Sequence, residues 1–159
     1  NASFLTPGWL ERLPRIPFDS LLVSLNAATP DTYLAVNRGL TWEAIRRNLD
    51  ALLRHRVEGR FPGGLTYGMV LLKRNLAEVR PFADLAMKDG ANVRFLLPIR
   101  DRNGQSIMTD PEAMTEAVAS LEEVAARFEA ADWQRSARDA RANAAVLKER
   151  LARGLFEVL

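Results

Sequence analysis

The segment Asp19–Asp31, DSLLVSLNAATPD, determines how the fold begins. Its apolar run, Asp19–Leu25, is short and continuous, which is typical of a β-strand covered on both faces. Thr29 and Pro30 then provide helix start signals, because Thr suits the capping position and Pro the first helical position. We predict a helix from here through Val36. A strand followed closely by a helix is the first unit of an α/β fold.

Strands and helices continue to alternate after this unit. We predict a helix over Thr41–Arg56, a strand over Leu65–Leu72, a helix from an Asn75 cap to Asp89, a strand over Val93–Leu97, a helix opened by Asp110–Glu112 and a last one over Gln134–Arg153. Strands separated by helices pair in parallel through crossover connections. The small sheet that results has two open edges, which need cover from strands, helices or a partner chain.

Composition and charge narrow the class of protein. The chain has 159 residues, of which 48% are hydrophobic and 26% charged, values typical of one globular domain. We recognise neither a membrane-spanning run nor a signal peptide, so we expect a cytoplasmic protein with no membrane partner. The 22 basic and 20 acidic residues are intermixed, which argues against nucleic-acid binding. The absence of cysteine excludes disulfides and cysteine-ligated metals within this chain.

Polar residues follow each predicted strand. They are found in Ser24–Asn26, Leu72–Asn75 and Pro98–Asp101. Because ligands of parallel α/β proteins bind at the carboxyl ends of the strands, these residues are candidates for a binding site. The alternative is structural, since Asn75 would cap its own helix and Asn26 would hold a turn. His55 is the only histidine, and we assign it to the end of its helix rather than to chemistry.

The segment Leu22–Tyr33, LVSLNAATPDTY, resembles the fourth strand and following helix of radical S-adenosylmethionine (radical SAM) enzymes. The resemblance is strongest to the branch with an extra cluster-binding SPASM domain, whose pattern is V-S-L-[DN]-A-A-T-P-E-T-Y. Trp42–Leu49, WEAIRRNL, is similar to the family helix F-E-x-V-x-x-N-[IL]. Val70–Glu78 and Gly90–Phe95 resemble the fifth strand and the approach to the sixth. The match extends from about Leu5 to Pro98.

This resemblance implies an α/β fold that is half of a partial (β/α) barrel. About three to four parallel strands with crossover helices would occupy residues 1–99, and two long helices would form an extension over residues 100–159. The family's other half holds a CxxxCxxC loop that ligates a 4Fe–4S cluster and cleaves S-adenosylmethionine (SAM) to a 5′-deoxyadenosyl radical. That motif and the SPASM cysteines are missing from this sequence. The chain would then be a C-terminal piece, either a truncation or a relic.

Two of the residues that the family places near SAM lie in the first segment. Ser24 matches a serine of the fourth strand, whose hydroxyl both donates and accepts hydrogen bonds. Asn26 stands where many relatives have Asp, so it keeps an acceptor and loses the charge.

Three further candidates lie in the following segments. The family arginine that pairs with the methionine carboxylate falls at Asn37, and Arg38 takes that role if the alignment shifts by one residue. Leu72 and Asn75 match the end of the fifth strand near the adenine. The resemblance thus implies a SAM site containing Ser24, Asn26, Arg38, Leu72 and Asn75, with no metal ligand and no identified catalytic residue.

The function expected from the resemblance is that of a fragment, inert alone. Its parent enzyme would act on a peptide or a small molecule, and the missing half-barrel would be its partner. The alternative is a stand-alone α/β interaction or oligomerisation domain that pairs with a second copy. Its helices would then associate through apolar residues such as Leu121, Val124 and Phe128. A metal-free isomerase or aldolase barrel is a third possibility, which lacks a suitable Schiff-base lysine.

Overall fold

The computed structural model describes residues 2–13, 19–37, 39, 41–61, 63–101 and 103–157. The strands are β1 (Ser20–Ser24), β2 (Gly64–Val70) and β3 (Asn92–Leu96). The helices are α1 (Pro7–Leu10), α2 (Pro30–Val36), α3 (Trp42–Val57), α4 (Val79–Lys88), α5 (Pro111–Ala130) and α6 (Gln134–Arg153). Short 3₁₀ turns occupy Ala2–Phe4, Lys73–Glu78 and Ile107–Thr109. None of the described helices is both long enough and apolar enough to cross a membrane.

The three strands form one parallel sheet in the order β1–β2–β3. Its register aligns Val23 with Tyr67 and Tyr67 with Val93. Helices α2 and α3 connect β1 to β2, and α4 connects β2 to β3. The predicted α/β class, the parallel pairing and the two long C-terminal helices are therefore confirmed.

Local signals in the sequence set the ends of several helices. The Thr41 hydroxyl accepts a hydrogen bond from the N–H of Ala44 and caps α3. The Asp110 carboxylate accepts from the N–H of Ala113 in the first turn of α5. Gly154 ends α6 with a φ of +64°, in the left-handed region that glycine adopts readily. Three of these helix ends could thus be read from single residues.

The face of the sheet that carries the aligned side chains of Val23, Tyr67 and Val93 forms the centre of the core. Val23, Tyr67 and Val93 are almost completely buried on it. The ring of Phe82 from α4 lies 6.5 Å from the ring of Tyr67 and 6.3 Å from that of Phe95, in tilted arrangements that aromatic pairs favour. Helix α4 is thereby fixed against the strands that it connects.

The outer edge of β3 is closed by polar side chains of α6. Ser136 Oγ accepts a hydrogen bond from the N–H of Val93 at 2.9 Å, and Asp139 Oδ2 accepts from that of Phe95 at 2.7 Å. Asn143 Nδ2 donates to the carbonyl oxygen of Phe95 at 3.0 Å. The spacing of three and four residues puts the three side chains on one face of the helix. They replace the backbone partners that a further strand would supply.

The outer edge of β1 differs, because no strand pairs with it among the described residues. The carbonyl of Asp19 accepts from the N–H of Gly64, and the N–H of Leu25 donates to the carbonyl of Gly68. In a parallel strand, the N–H and C=O groups of every second residue point to the same neighbouring strand. Asp19 and Leu25 point toward β2, so Leu21 and Val23 do so as well. The backbone groups that point away from β2 belong to Ser20, Leu22 and Ser24.

Helices α5 and α6 pack together and bury their apolar side chains within the chain. Leu121, Val124 and Phe128 each have 0% of their surface exposed. They therefore offer no apolar surface for association with a partner, and β1 is the part of the described chain whose edge still needs cover.

Candidate functional site

The carboxyl ends of all three strands open into one cleft of about 1030 Å³. Its lining combines strand-end residues with residues of α2 and of the loop after β3. These are Asn26, Leu34, Ala35, Val36, Asn37, Val70, Leu72, Arg74, Leu96, Leu97, Pro98, Ile99, Arg100, Asn103 and Gln105. The cleft lies where the sequence predicted a site, and its size is that of a typical small-molecule pocket.

Asn26 forms the wall of the cleft at the end of β1. Its φ of +62° is in the left-handed region, which asparagine tolerates better than most residues. Its Oδ1 accepts a hydrogen bond from the N–H of Val70 at 2.9 Å, and its Nδ2 donates to Asn37 Oδ1 at 3.1 Å. Asn37 Nδ2 donates in turn to the carbonyl of Leu25. Both asparagines therefore fix the turn between β1 and α2 while lining the cleft.

Asn75 is completely buried and does not line the cleft. Its Nδ2 donates to the carbonyls of Asn26 and Val70, both at 2.9 Å, and its Oδ1 accepts from the N–H of Leu72 at 2.8 Å. The prediction that Asn75 caps a helix running to Asp89 is wrong, because this residue lies inside a 3₁₀ turn and α4 begins only at Val79. Its side chain instead joins the ends of β1 and β2.

The other predicted site residues fall in different places. Leu72 lines the cleft next to Val70, as the strand-end argument predicts. Ser24 is partly buried and pairs in register with Gly68, outside the cleft lining. Arg38 lies outside the described residues. The structure thus brings Asn26 and Leu72 to the cleft, with Asn75 behind them.

The carboxylate of Glu78 fixes the start of α2. Its carboxylate accepts hydrogen bonds from the N–H groups of Ala28 and Thr29 and from the Thr29 hydroxyl. A negative charge at a helix N-terminus is stabilised by the unpaired N–H groups there. Only 7% of Glu78 is exposed, so this contact is structural. Because 50 residues separate Glu78 from Ala28, sequence patterns could not reveal it.

The charged side chains of the cleft are all basic. Arg74 and Arg100 line it, and no acidic side chain does. The neighbouring Lys73 is neutralised by Asp110 at 2.8 Å. Arg74 makes one long contact, 3.5 Å from its Nη1 to the carbonyl of Ala35. All 20 acidic residues lie in the described part of the chain, and none forms an ion pair with Arg74 or Arg100.

The candidate strand-end segments included both arginines, but neither was selected individually for the SAM site, and the apolar wall was not identified. Arg74 and Arg100 both occur in the strand-end segments, so their positions were the signal that could have found them. Leu34 and Ile99 are 63% and 70% exposed at the cleft, and apolar side chains carry no such signal. Gln105 also lines the cleft, and its buried Oε1 has no hydrogen-bond partner in the described structure.

Fold and cleft together define an α/β protein with a cleft at the carboxyl ends of its strands. Comparisons with protein-family models, with curated proteins and with solved structures find no match to this chain. Among the described residues, no group of three or more His, Asp or Glu side chains is arranged to hold a metal ion.

Proposed function

We propose that the chain is the C-terminal half of the partial (β/α) barrel of a radical SAM enzyme. In this proposal its cleft contributes to the binding of SAM and of the substrate. The parent enzyme generates the 5′-deoxyadenosyl radical through its 4Fe–4S cluster, and the chain alone is catalytically inert.

The different edges of the sheet are the observation that carries the proposal. The last strand of an open barrel ends the sheet, whereas the first strand of its C-terminal half must pair with a strand that precedes it. Here β3 has its edge closed by α6, whereas no strand of the described residues pairs with β1 on the side of Ser20, Leu22 and Ser24. In a C-terminal half-barrel the first strand should have the unpaired edge and the last strand the closed one, which is the arrangement seen here.

The position of the family-like segment gives further support. Leu22–Tyr33 includes most of β1 and the turn into α2, and its Asn26 lines the cleft. Asn26 and Leu72 would therefore be the carried-over residues that meet SAM, while Asn75 would position them. Cluster ligands must come from outside this sequence because it contains no cysteine. The residues of this chain bind and orient, and no radical step is assigned to them.

The coding sequence upstream of Ser3 tests this proposal most directly. We expect an uninterrupted reading frame that encodes CxxxCxxC, and anaerobic reconstitution of the complete protein should then yield SAM cleavage. A stop codon or a start codon immediately upstream would contradict the proposal. In the complete protein, Leu22→Pro should disrupt the pairing of β1 with the preceding strand and lower SAM cleavage, because it removes an outward N–H of β1.

The open edge of β1 also favours a second candidate, an oligomerisation domain in which two copies pair through this strand. Exposed strand edges are common sites of such pairing. Light scattering on the chain distinguishes the two functions. A dimer that becomes monomeric on Leu22→Pro would support oligomerisation, whereas a folded monomer at high concentration would count against it.

A further inference from the structure

The cleft carries positive charge that no described residue neutralises. Arg74 and Arg100 both line it, and the acidic residues of the chain, all of them described, leave both guanidinium groups without an ion pair. Lys73 provides the internal comparison, because this adjacent cation is neutralised by Asp110. A guanidinium group offers a planar set of N–H donors that matches carboxylate and phosphate groups.

An apolar wall adjoins these cations. Leu34 on α2 and Ile99 after β3 are more than half exposed, and both line the same cleft. Leu97 and Pro98 extend this wall along the loop after β3. Binding pockets combine such apolar lining with a few polar groups that fix orientation. The cleft therefore offers separate surfaces to a charged group and to an apolar body.

We propose that the cleft binds an organic anion whose carboxylate or phosphate group pairs with Arg74 and Arg100. The apolar part of this ligand packs on Leu34 and Ile99. The proposal names the substrate class of the radical SAM site and in that respect rests on the proposed function. The anion-binding geometry itself requires neither SAM nor a cluster.

Titrations of the ¹⁵N-labelled chain, followed by NMR, test the proposal with three probes of similar size. Phenyl phosphate and phenylacetate carry an anionic group, and phenylacetamide is the neutral control. We expect both anions to shift amide signals of residues 70–74 and 96–105 and to bind more tightly than phenylacetamide. Binding should weaken as salt is added, because the paired charges become screened. Equal binding of phenylacetate and phenylacetamide, or shifts confined to other regions, would overturn the proposal.

Variants locate the charge and the apolar wall separately. Arg74→Gln/Arg100→Gln should weaken phenyl phosphate binding about tenfold or more and leave phenylacetamide unchanged. Arg80→Gln is the matched control, because Arg80 is an arginine outside the cleft lining that pairs with Glu123. Leu34→Ser should weaken phenylacetate and phenylacetamide alike while leaving inorganic phosphate unaffected. If the double variant does not fold, the single variants Arg74→Gln and Arg100→Gln must each weaken phenyl phosphate and not phenylacetamide. Unchanged phenyl phosphate affinity in the folded arginine variants would refute the anion site.

A parallel titration with SAM keeps the two proposals distinguishable. If the anions fail to bind but SAM shifts the signals around Asn26 and Leu72, the substrate class is wrong and the proposed function stands. If anions bind in the cleft but the upstream frame lacks CxxxCxxC, the anion site stands and the radical SAM assignment is wrong.

Discussion

The two outer edges of the sheet both carry backbone groups that need hydrogen-bond partners, but only the edge of β3 has them within the described residues. At β3 the N–H groups of Val93 and Phe95 and the carbonyl of Phe95 all bond to side chains of α6. At β1 the corresponding groups of Ser20, Leu22 and Ser24 have no strand beside them within the described residues. Buried backbone groups require partners, so a helix that supplies them ends a sheet as effectively as a loop or a bulge. An edge that lacks such partners is a site where a further strand can pair.

The largest expected effect is the difference in stability between two proline substitutions in β1, one removing an N–H that points toward β2 and the other an N–H that points away from it. Val23→Pro removes an N–H that points toward β2 and should destabilise the chain by about 3 kcal/mol or more. Leu22→Pro removes an outward N–H and should cost at most about 1 kcal/mol, because proline is tolerated on a free edge. Chemical denaturation of both variants measures the difference. Equal losses of stability would mean that the outer edge of β1 is already paired.

Asn75→Ala tests how firmly β1 is held on its paired side. The variant leaves the carbonyls of Asn26 and Val70 and the N–H of Leu72 without their partner, and we expect a loss of about 3 kcal/mol. Amide exchange should accelerate more in β1 than in β3. Asn48→Ala is the control, since Asn48 makes one bond, to the carbonyl of Ala2, and should cost about 1 kcal/mol. Similar effects of the two variants would contradict the role of Asn75 as a junction.

Ser136→Val should open the closed edge at one position. The buried N–H of Val93 loses its acceptor, which we expect to cost about 1–2 kcal/mol. Hydrogen exchange provides a second measurement, because the amide of Val93 should be well protected in the wild-type chain and the outward amide of Leu22 should not. Ser120→Val, a partly buried position on α5, is the control. Unchanged protection of Val93 in Ser136→Val would show that the hydroxyl does not close the edge.

The smallest effect should appear as a pH dependence at Asp139. Burial raises the pKa of this carboxyl, although the N–H of Phe95 opposes the shift. Because the folded-state pKa is the higher one, the folded chain binds the proton more tightly, and the contribution of Asp139 to stability falls as pH rises above about 3.8, its ordinary pKa. Asp139→Asn should therefore gain stability relative to the wild type between pH 3 and pH 7.

Denaturation of both proteins across this pH range measures the difference. Asp132→Asn, in the exposed turn before α6, serves as the control for a simple change in net charge. A difference between Asp139→Asn and the wild type that stays constant with pH would contradict a raised pKa.

Much of the fold could be predicted because its signals are local. The apolar run before Asn26, the Pro30 helix start and the Gly154 helix end act within a few residues of themselves, and the structure has all three. The prediction for Asn75 failed because the same side-chain amide can cap a helix or join two strand ends, and the local sequence does not distinguish these roles. Only the packing of β1 beside β2 decided that its donors meet the carbonyls of Asn26 and Val70.

The sequence by itself determined the α/β class, the parallel pairing and the edge of the sheet where a cleft would form. These follow from hydrophobic periodicity and from the direction of crossover connections. Only the tertiary structure decided that α6 closes β3, that Glu78 caps α2, and that Arg74 and Arg100 line the cleft with no acidic partner. The reason is physical: such contacts join residues distant in sequence, and their strength depends on which groups the packed chain removes from water.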